Sequence, residues 1–388
     1  MTTPSLPSSS SAGSHGLDPG ISISTAGLMC LGVVMSYSAT AALSLDTKVP
    51  PLFFDHLSGL ILGLAAGTGA YFLPATALRR MAIPFWLFTL VLLFSTLAFG
   101  VEVNGAQRWL EIPGLQLRFQ PGELAKFATL IAVASWLSRK DDRRELSMRR
   151  SVQAAGIALL PAGLLVLQPD LGNAVVLVCL VAFLLFIAGT PWPRFVLPGI
   201  AGVLLLSAYI VHNEYAWRRI MGFLDPFRER AGPGWQLVQS YVAFGHGGLF
   251  GQGLGNGRQK LAYLPEVHTD FVLALIAEEL GLLGVLCVLG AFAALWVTGT
   301  RVARRATNRF DLLCAFGMVT LLTIPAFLNG AVVMGLVPTK GLTLPFLSYG
   351  RTSLVVSCVV LGILLGIARR NPPRPSVKQK EARWQGAG

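Results

Sequence analysis

The sequence predicts an all-α polytopic membrane protein, and three observations support this prediction. Apolar residues make up 53% of the chain and charged residues only 13%, whereas about 25% is usual for charged residues in a soluble domain. The mean hydropathy is +0.62. Long uncharged runs recur along the whole length, as membrane-spanning helices require. This composition excludes a disordered chain, a collagen, a disulfide-stapled secreted module and an ordinary soluble enzyme.

Ten of these runs are predicted to be transmembrane helices. Residues 1–20, which precede them, are rich in Ser, Pro and Gly and contain no Lys or Arg, so we predict a disordered cytoplasmic tail. Residues 21–368 are predicted to form one ten-helix membrane domain, and residues 369–388 a basic cytoplasmic tail. The predicted spans are 21–45, 52–73, 81–100, 122–138, 152–169, 171–189, 193–212, 269–299, 310–336 and 347–368.

Basic residues predict the orientation of the chain in the membrane. An even number of spans puts both termini on one side, and most of the Lys and Arg residues fall on that side, which makes both termini cytoplasmic. Two long loops, 101–121 and 213–268, are then outside. The second is a large outer loop between the seventh and eighth spans, and a loop of that length is usually functional. The basic clusters are Arg79 with Arg80, 139–150, Arg194, 301–309 and 369–383.

Charge and cysteine usage exclude two further classes of function. The net charge of +12 comes from short clusters between apolar runs, so it indicates topology and contact with anionic membrane lipids, with no nucleic-acid partner. The five cysteines lie inside apolar segments without CxxC spacing. They are predicted to be small core residues, neither disulfide-bonded nor metal-binding.

The outer loop contains a glycine-rich stretch. Seven glycines lie between residues 245 and 257, and Arg258 and Lys260 follow them. Glycines let a backbone approach a ligand closely and present N–H groups to an anion. A re-entrant or packing turn without any ligand explains the same pattern, but the two basic residues favour an anionic headgroup. The phosphate-loop pattern GxxxxGK[ST] is absent.

Two acidic residues and a histidine follow at the start of the eighth span. Glu266, His268 and Asp270 lie there, and a carboxylate at this point experiences the positive end of the helix dipole. One interpretation is that Thr269 or Asp270 is simply the helix N-cap. The other is that Asp270 is a general base at the membrane surface. Glu278 and Glu279, about two turns deeper, are predicted to face a cavity or a partner because charges at that depth are costly.

Three more polar positions are candidates. Glu123 and Lys126 lie three residues apart on the fourth span, where they form either an internal ion pair or a site for phosphate or proton relay. Asp170 lies between the fifth and sixth spans, and turn geometry alone also explains it. The last outer loop, residues 337–350, contains two prolines and two glycines, and such irregular backbone is tolerated where it lines a water-filled cavity. Lys340, and Arg351 just after the loop, place positive charge there.

These segments together resemble the SEDS family of bacterial shape, elongation, division and sporulation proteins. The motifs occur in family order and cover nearly the whole chain. Residues 338–345 resemble the division members more than the elongation members, and sporulation members share this pattern. Arg351 departs from the family, which usually has Gly there. The matching segments are 104–109, 120–126, 168–172, 245–257, 264–271, 278–281 and 338–350.

The resemblance implies a peptidoglycan glycosyltransferase of septal cell-wall synthesis in the inner membrane. Its substrate would be lipid II, a disaccharide-peptide on undecaprenyl pyrophosphate, and its partners a class B penicillin-binding transpeptidase and other division proteins. The family's catalytic Asp corresponds to Asp270. No metal-ligand set is predicted, although a divalent cation such as Mg²⁺ or Mn²⁺ fits beside a pyrophosphate. The predicted substrate-binding residues are Arg108, Glu123, Lys126, Asp170, Arg258, Lys260, His268, Lys340 and Ser348.

Two other functions remain open from the sequence. A lipid II flippase would use the intramembrane charges as a polar path, although no inverted repeat between the halves supports it. A non-catalytic divisome scaffold would need only small residues at helix interfaces.

Overall fold

The structure, a computed structural model, describes residues 17–41, 50–103, 106–112, 117–139, 146–229, 232–261 and 268–373. Most of the predicted tail 1–20, the end of the basic tail and Glu266 lie outside these residues. Twelve helices and three strands occur in the described ranges. The helices are α1 (Pro19–Ala41), α2 (Pro51–Tyr71), α3 (Ala75–Phe99), α4 (Pro121–Leu137), α5 (Met148–Leu167), α6 (Leu171–Ile187), α7 (Pro193–His212), α8 (Glu214–Leu224), α9 (Trp235–Gly247), α10 (Val272–Arg305), α11 (Arg309–Val333) and α12 (Arg351–Arg370).

The membrane character of the fold is confirmed. Eight of the helices in the described ranges are long and apolar enough to cross a membrane: α1, α2, α3, α5, α7, α10, α11 and α12. The two other predicted spans correspond to α4 and α6, which have only 17 residues each. The structure therefore supports a polytopic helical fold, and eight helices meet the length and hydropathy that a span requires.

The helices differ greatly in burial. In α11 and α12, 72% of the most apolar stretch is buried, whereas in α7 the corresponding value is 0%. Most of α4 is also buried, including the charged Glu123 and Lys126. The centre of the bundle is thus built from α4, α11, α12 and the first part of α10, whereas no residue of α7 is fully buried.

Glycines allow α2 and α12 to pack very closely. A Cβ on Gly362 would lie 2.0 Å from the Gly67 carbonyl oxygen, and one on Gly67 would lie 2.5 Å from the Cys358 carbonyl oxygen. Gly366 likewise faces the backbone of Tyr71. Small residues four apart on each helix let the two backbones touch, which is a common way to hold membrane helices together. This packing holds the second half of α12 against α2.

The glycine-rich stretch of the outer loop forms hydrogen bonds with the backbone at a break in α10. Gly281 has φ 71° and interrupts the helix. The N–H groups of Gln252 and Gly253 donate to the carbonyls of Glu278 and Glu279, at 2.9 and 3.0 Å. The N–H groups of Leu282 and Leu283 donate to the carbonyls of residues 248 and 249. Backbone groups freed by the break are therefore satisfied by the loop, as membrane depth demands.

Two parts of the all-α prediction were incomplete. Loop 101–121 contains a three-stranded antiparallel sheet of β1 (Val101–Val103), β2 (Ala106–Ile112) and β3 (Leu117–Phe119), paired in the order β1-β2-β3. The outer loop 213–268 contains α8 and α9. These elements were not predicted because short amphipathic segments give a weak periodic signal beside long apolar runs.

Candidate active site

A cavity of about 970 Å³ lies at the end of the bundle where α10 and α12 begin. Its lining comes from α2, the sheet, α8, α9, the turn before α10, the first residues of α12 and residues 334–350, here called the α11–α12 loop. Within the described residues, this lining includes five basic side chains and three carboxylates. These are Arg108, Arg118, Arg219, Lys340 and Arg351, with Asp55, Glu111 and Asp270.

Asp270 lies in the turn just before α10. The N-cap position falls on Phe271, which makes no side-chain cap hydrogen bond, rather than on Thr269 or Asp270. The Asp270 side chain is half-buried and lines the cavity. A Cβ on Gly341 would lie only 2.7 Å from its Oδ2 atom. The carboxylate is therefore in close contact with the α11–α12 loop, and only glycine leaves it room there.

Hydrogen bonds join the turn before α10 to the α11–α12 loop. The Ser348 hydroxyl donates to the Thr269 carbonyl and accepts from the Leu344 N–H at 2.8 Å. The Tyr349 N–H donates to the His268 carbonyl at 2.8 Å, and the two rings meet edge to face. His268 thus lines the cavity, whereas the buried Ser348 connects two backbone segments.

Two cations lie together beside this loop. Arg219 of α8 donates from Nη1 to the Thr339 carbonyl at 3.1 Å, which brings it next to Lys340. Burial lowers the pKa of the Lys340 ammonium below its usual value, and the Arg219 guanidinium acts in the same direction. Paired cations in a partly desolvated site favour a multiply charged anion such as a diphosphate.

The remaining cations are held by the sheet and by α12. Arg108 of β2 donates to the Pro169 carbonyl, and its buried Nε atom has no partner among the described residues. Arg118 of β3 lies 3.8 Å from Glu111. Arg108 and Lys340, which are predicted to bind substrate, line the same cavity as Asp270.

Arg351 forms an ion pair with Asp55 of α2. The Tyr349 hydroxyl donates to the same carboxylate at 3.2 Å. Burial, together with the charge of Asp55, raises the pKa of Tyr349 to about 12, so this hydroxyl stays a neutral donor. The positive charge of Arg351, the residue that departs from the family pattern, is therefore balanced by Asp55, and Arg351 lies in the cavity wall.

Glu123, Lys126 and Asp170 lie in a buried hydrogen-bond network below the cavity. Lys126 Nζ donates to Glu123 Oε1 and to Asn173 Oδ1, both at 2.8 Å. The Asn173 amide donates to Asp170 at 2.8 Å, and the Gln120 amide donates to Asp170 at 3.4 Å. Gln120 lines both the main cavity and a small void of about 40 Å³ beside Lys126. The predicted internal ion pair of Glu123 and Lys126 is present. Both residues line the small void and not the main cavity.

Arg258 and Lys260 lie elsewhere. Lys260 Nζ is buried and pairs with Glu279 at 2.9 Å, and it also donates to Ser38 at 3.0 Å. The N–H of Arg258 donates to Glu278 at 2.9 Å, while its side chain is exposed. Neither residue lines the cavity. As predicted, the two glutamates face partners, and these partners are the glycine-rich loop and Lys260.

Four charged cavity residues were not singled out from the sequence: Asp55, Arg118, Arg219 and Glu111. Their local sequence gives no signal, because each lies in a short strand, in the short helix α8 or in the first turns of α2, and no motif marks it. Within the part of the chain that the structure describes, no group of three or more His, Cys, Asp or Glu side chains could hold a metal ion. A divalent cation beside a bound pyrophosphate remains a prediction.

Comparison with known proteins gives concordant matches. The model of the FtsW, RodA and SpoVE family, described as cell cycle protein, matches residues 21–372. A protein of Geobacter metallireducens named probable peptidoglycan glycosyltransferase FtsW is 40% identical over 353 residues, covering 90% of this chain and 93% of that protein. A protein of the same name from Tolumonas auensis is 39% identical over 369 residues, covering 94% and 96%.

Solved structures agree with these matches. One, described as structural coordination of polymerization and crosslinking by a peptidoglycan synthase complex, has a TM-score of 0.76 at 30% identity and covers 92% of this chain and 98% of that chain. The crystal structure of the rod shape determining protein RodA of Thermus thermophilus has a TM-score of 0.68 at 30% identity, covering 93% and 99%.

Proposed function

The chain belongs to the FtsW, RodA and SpoVE family of cell cycle proteins, and from this we propose that it is a peptidoglycan glycosyltransferase that polymerises lipid II during septal cell-wall synthesis. The observation that supports this activity most directly is the cavity. It combines a half-buried carboxylate at a helix start with five basic side chains. Such a site suits a sugar hydroxyl that must lose a proton and a diphosphate that must leave.

The reaction is the attack of a sugar 4-hydroxyl on an anomeric carbon. The new C–O bond forms as the bond to the lipid pyrophosphate breaks, and the hydroxyl proton goes to Asp270. A hydroxyl becomes a strong acid as it attacks, so a positioned carboxylate typically supplies about 10²–10⁴-fold in rate. The N-terminus of α10 favours the ionised form of Asp270.

The leaving pyrophosphate needs neutralisation rather than a proton. Lys340 and Arg219, which lie together beside Asp270, supply positive charge on one side of the cavity, and Arg108 supplies it from the sheet. Preorganised cations stabilise charge that develops in the transition state. Asp55 and Glu111 are each engaged by an arginine, and we assign them to holding those cations in place.

The test is polymerisation of lipid II by the purified protein in detergent. Asp270→Asn keeps the shape of the side chain and removes its basicity, so it should fold and bind lipid II while chain formation falls by about 10²-fold or more. Asp225→Asn, an exposed acid of the outer loop away from the cavity, should retain full activity. Near-normal polymerisation by the folded Asp270→Asn protein would refute the assignment of the base.

The same assay separates polymerase from flippase and scaffold. Detergent has no second leaflet, so glycan chains formed there indicate an enzyme. Transfer of lipid II across liposomes without chain formation would indicate a transporter, and inactivity in both assays a scaffold. Repeating the assay with and without a class B penicillin-binding transpeptidase tests the proposed divisome partner. The solved peptidoglycan synthase complex supports this partnership.

We further propose ten membrane spans, with α4 and α6 added to the eight long helices, and both termini in the cytoplasm of a bacterial inner membrane at the septum. The basic residues near the ends of α3, α10 and α12 support this orientation. A reporter fused after Arg305 should be cytoplasmic, and one inserted at Gly232 should be outside. A cytoplasmic reporter at Gly232 would refute this ten-span topology.

A further inference from the structure

Asn329 of α11 is buried directly beneath the turn that contains Asp270. Its side-chain amide donates to the Asp270 carbonyl at 2.7 Å and to the Leu342 carbonyl at 2.8 Å. The residue is only 1% exposed. We propose that Asn329 is a positioning residue that holds the base against the α11–α12 loop, an inference that rests on the proposed function of Asp270.

The two carbonyls belong to the two segments whose separation matters for the chemistry. One is the carbonyl of the residue that carries the carboxylate. The other, on Leu342, follows Gly341, which touches that carboxylate, and Lys340, which supplies charge to the cavity. A single amide bound to both fixes the distance between the carboxylate and the loop. Asn329 lies on the long and largely buried helix α11, so this link is made from inside the bundle.

A primary amide satisfies this geometry without placing a charge in the core. An –NH₂ group has two donors in one plane, whereas a hydroxyl has one and a carboxylate has none. The orientation of the amide is also determined, because the flipped form would place Oδ1 against two carbonyl oxygens. The buried Oδ1 atom has no hydrogen-bond partner among the described residues. An unsatisfied buried acceptor is costly, which indicates that the two donated bonds are what the site requires.

The experiment measures kcat and KM for lipid II with Asn329→Ala, alone and combined with Asp270→Asn. A base displaced by about 1 Å loses about 10²-fold in rate. We therefore expect kcat to fall about 10–100-fold in the single variant while KM changes less than about threefold. In the Asp270→Asn background the same change should cost less than about twofold, because there is no longer a base to position.

A matched control distinguishes positioning from general stability. Thr323 is equally buried on α11, and among the described residues its hydroxyl bonds only to the Val319 carbonyl of its own helix. Thr323→Val should lower activity little, and by the same factor in both backgrounds. If Asn329→Ala does not fold, Asn329→Ser, which keeps one donor, replaces it, and an intermediate loss of kcat is expected.

The outcomes separate the two proposals. If Asp270→Asn polymerises normally, the proposed base is wrong, whatever Asn329 does. If Asp270→Asn lowers polymerisation as expected but the Asn329 change leaves kcat unaltered, raises KM alone or costs the same factor in both backgrounds, the positioning proposal is wrong and the base assignment stands.

Discussion

Replacing Glu279 with Gln should destabilise the protein without changing its affinity for lipid II. Glu279 is fully buried beside the break in α10, where it accepts hydrogen bonds from Lys260 at 2.9 Å, from Ser38 at 2.6 Å and from the N–H of Gly257 at 3.4 Å. Gln has nearly the same shape, so the change removes the charge and little else. Lys260 would then be a buried cation without an anionic partner.

The size of the effect follows from this burial. Removing one partner of a buried ion pair costs about 3–5 kcal/mol, because an uncompensated charge is left behind. Unfolding entropy of roughly 2 cal/mol/K per residue gives about 0.8 kcal/mol/K for a chain of this length, so the melting temperature should fall by about 4–6 °C. The loss should be concentrated where the glycine-rich loop meets α10, and this loop should become more sensitive to protease.

Thermal unfolding of the purified protein in detergent measures the effect. Glu214→Gln is the matched control, since Glu214 pairs with Arg218 but its side chain is 79% exposed. Its melting temperature should change by less than about 1 °C. Lys260→Met combined with Glu279→Leu should recover part of the lost stability because no charge remains.

The same measurements decide the function of Lys260. If Lys260 acts structurally, Lys260→Met lowers the melting temperature and leaves KM unaltered. A raised KM at normal stability would instead support the sequence-based prediction that Lys260 binds substrate. A Glu279→Gln protein as stable as the wild type would refute the reasoning about the buried pair.

Two further predictions concern the cavity. Gly341→Ala puts a methyl group 2.7 Å from Asp270 Oδ2, so the carboxylate must shift and kcat for polymerisation should fall about 10–100-fold. The control is Gly163→Ala, whose new methyl group meets no atom within 4 Å and which should be neutral in the same assay. Because the folded-state pKa of Lys340 is lowered, its charge should be lost as the pH rises, beginning below the usual value of 10.5. KM for lipid II should accordingly increase at alkaline pH in the wild type. The increase should be absent in Lys340→Arg, because the guanidinium stays charged. An identical alkaline KM profile for both proteins would contradict the assignment of Lys340 to the pyrophosphate.

The sequence by itself determined the class of the fold and the identity of the candidate base. Long apolar runs predict membrane helices because each run must satisfy its own backbone in lipid, so the signal is local and strong. Asp270 and Lys340 could also be identified as candidates from the sequence, because both belong to motifs at the ends of predicted spans. The depth of Glu278 and Glu279 correctly indicated that each needs a partner.

Only the tertiary structure decided which polar residues meet. Asp55, Arg219 and Asn329 are single residues on three different helices, and no local pattern connects them with Asp270. Conversely, Lys260 follows the glycines in sequence but pairs with Glu279 away from the cavity. Side-chain partners are fixed by how whole helices pack, through contacts between residues far apart in the chain, and hydropathy carries no information about that packing.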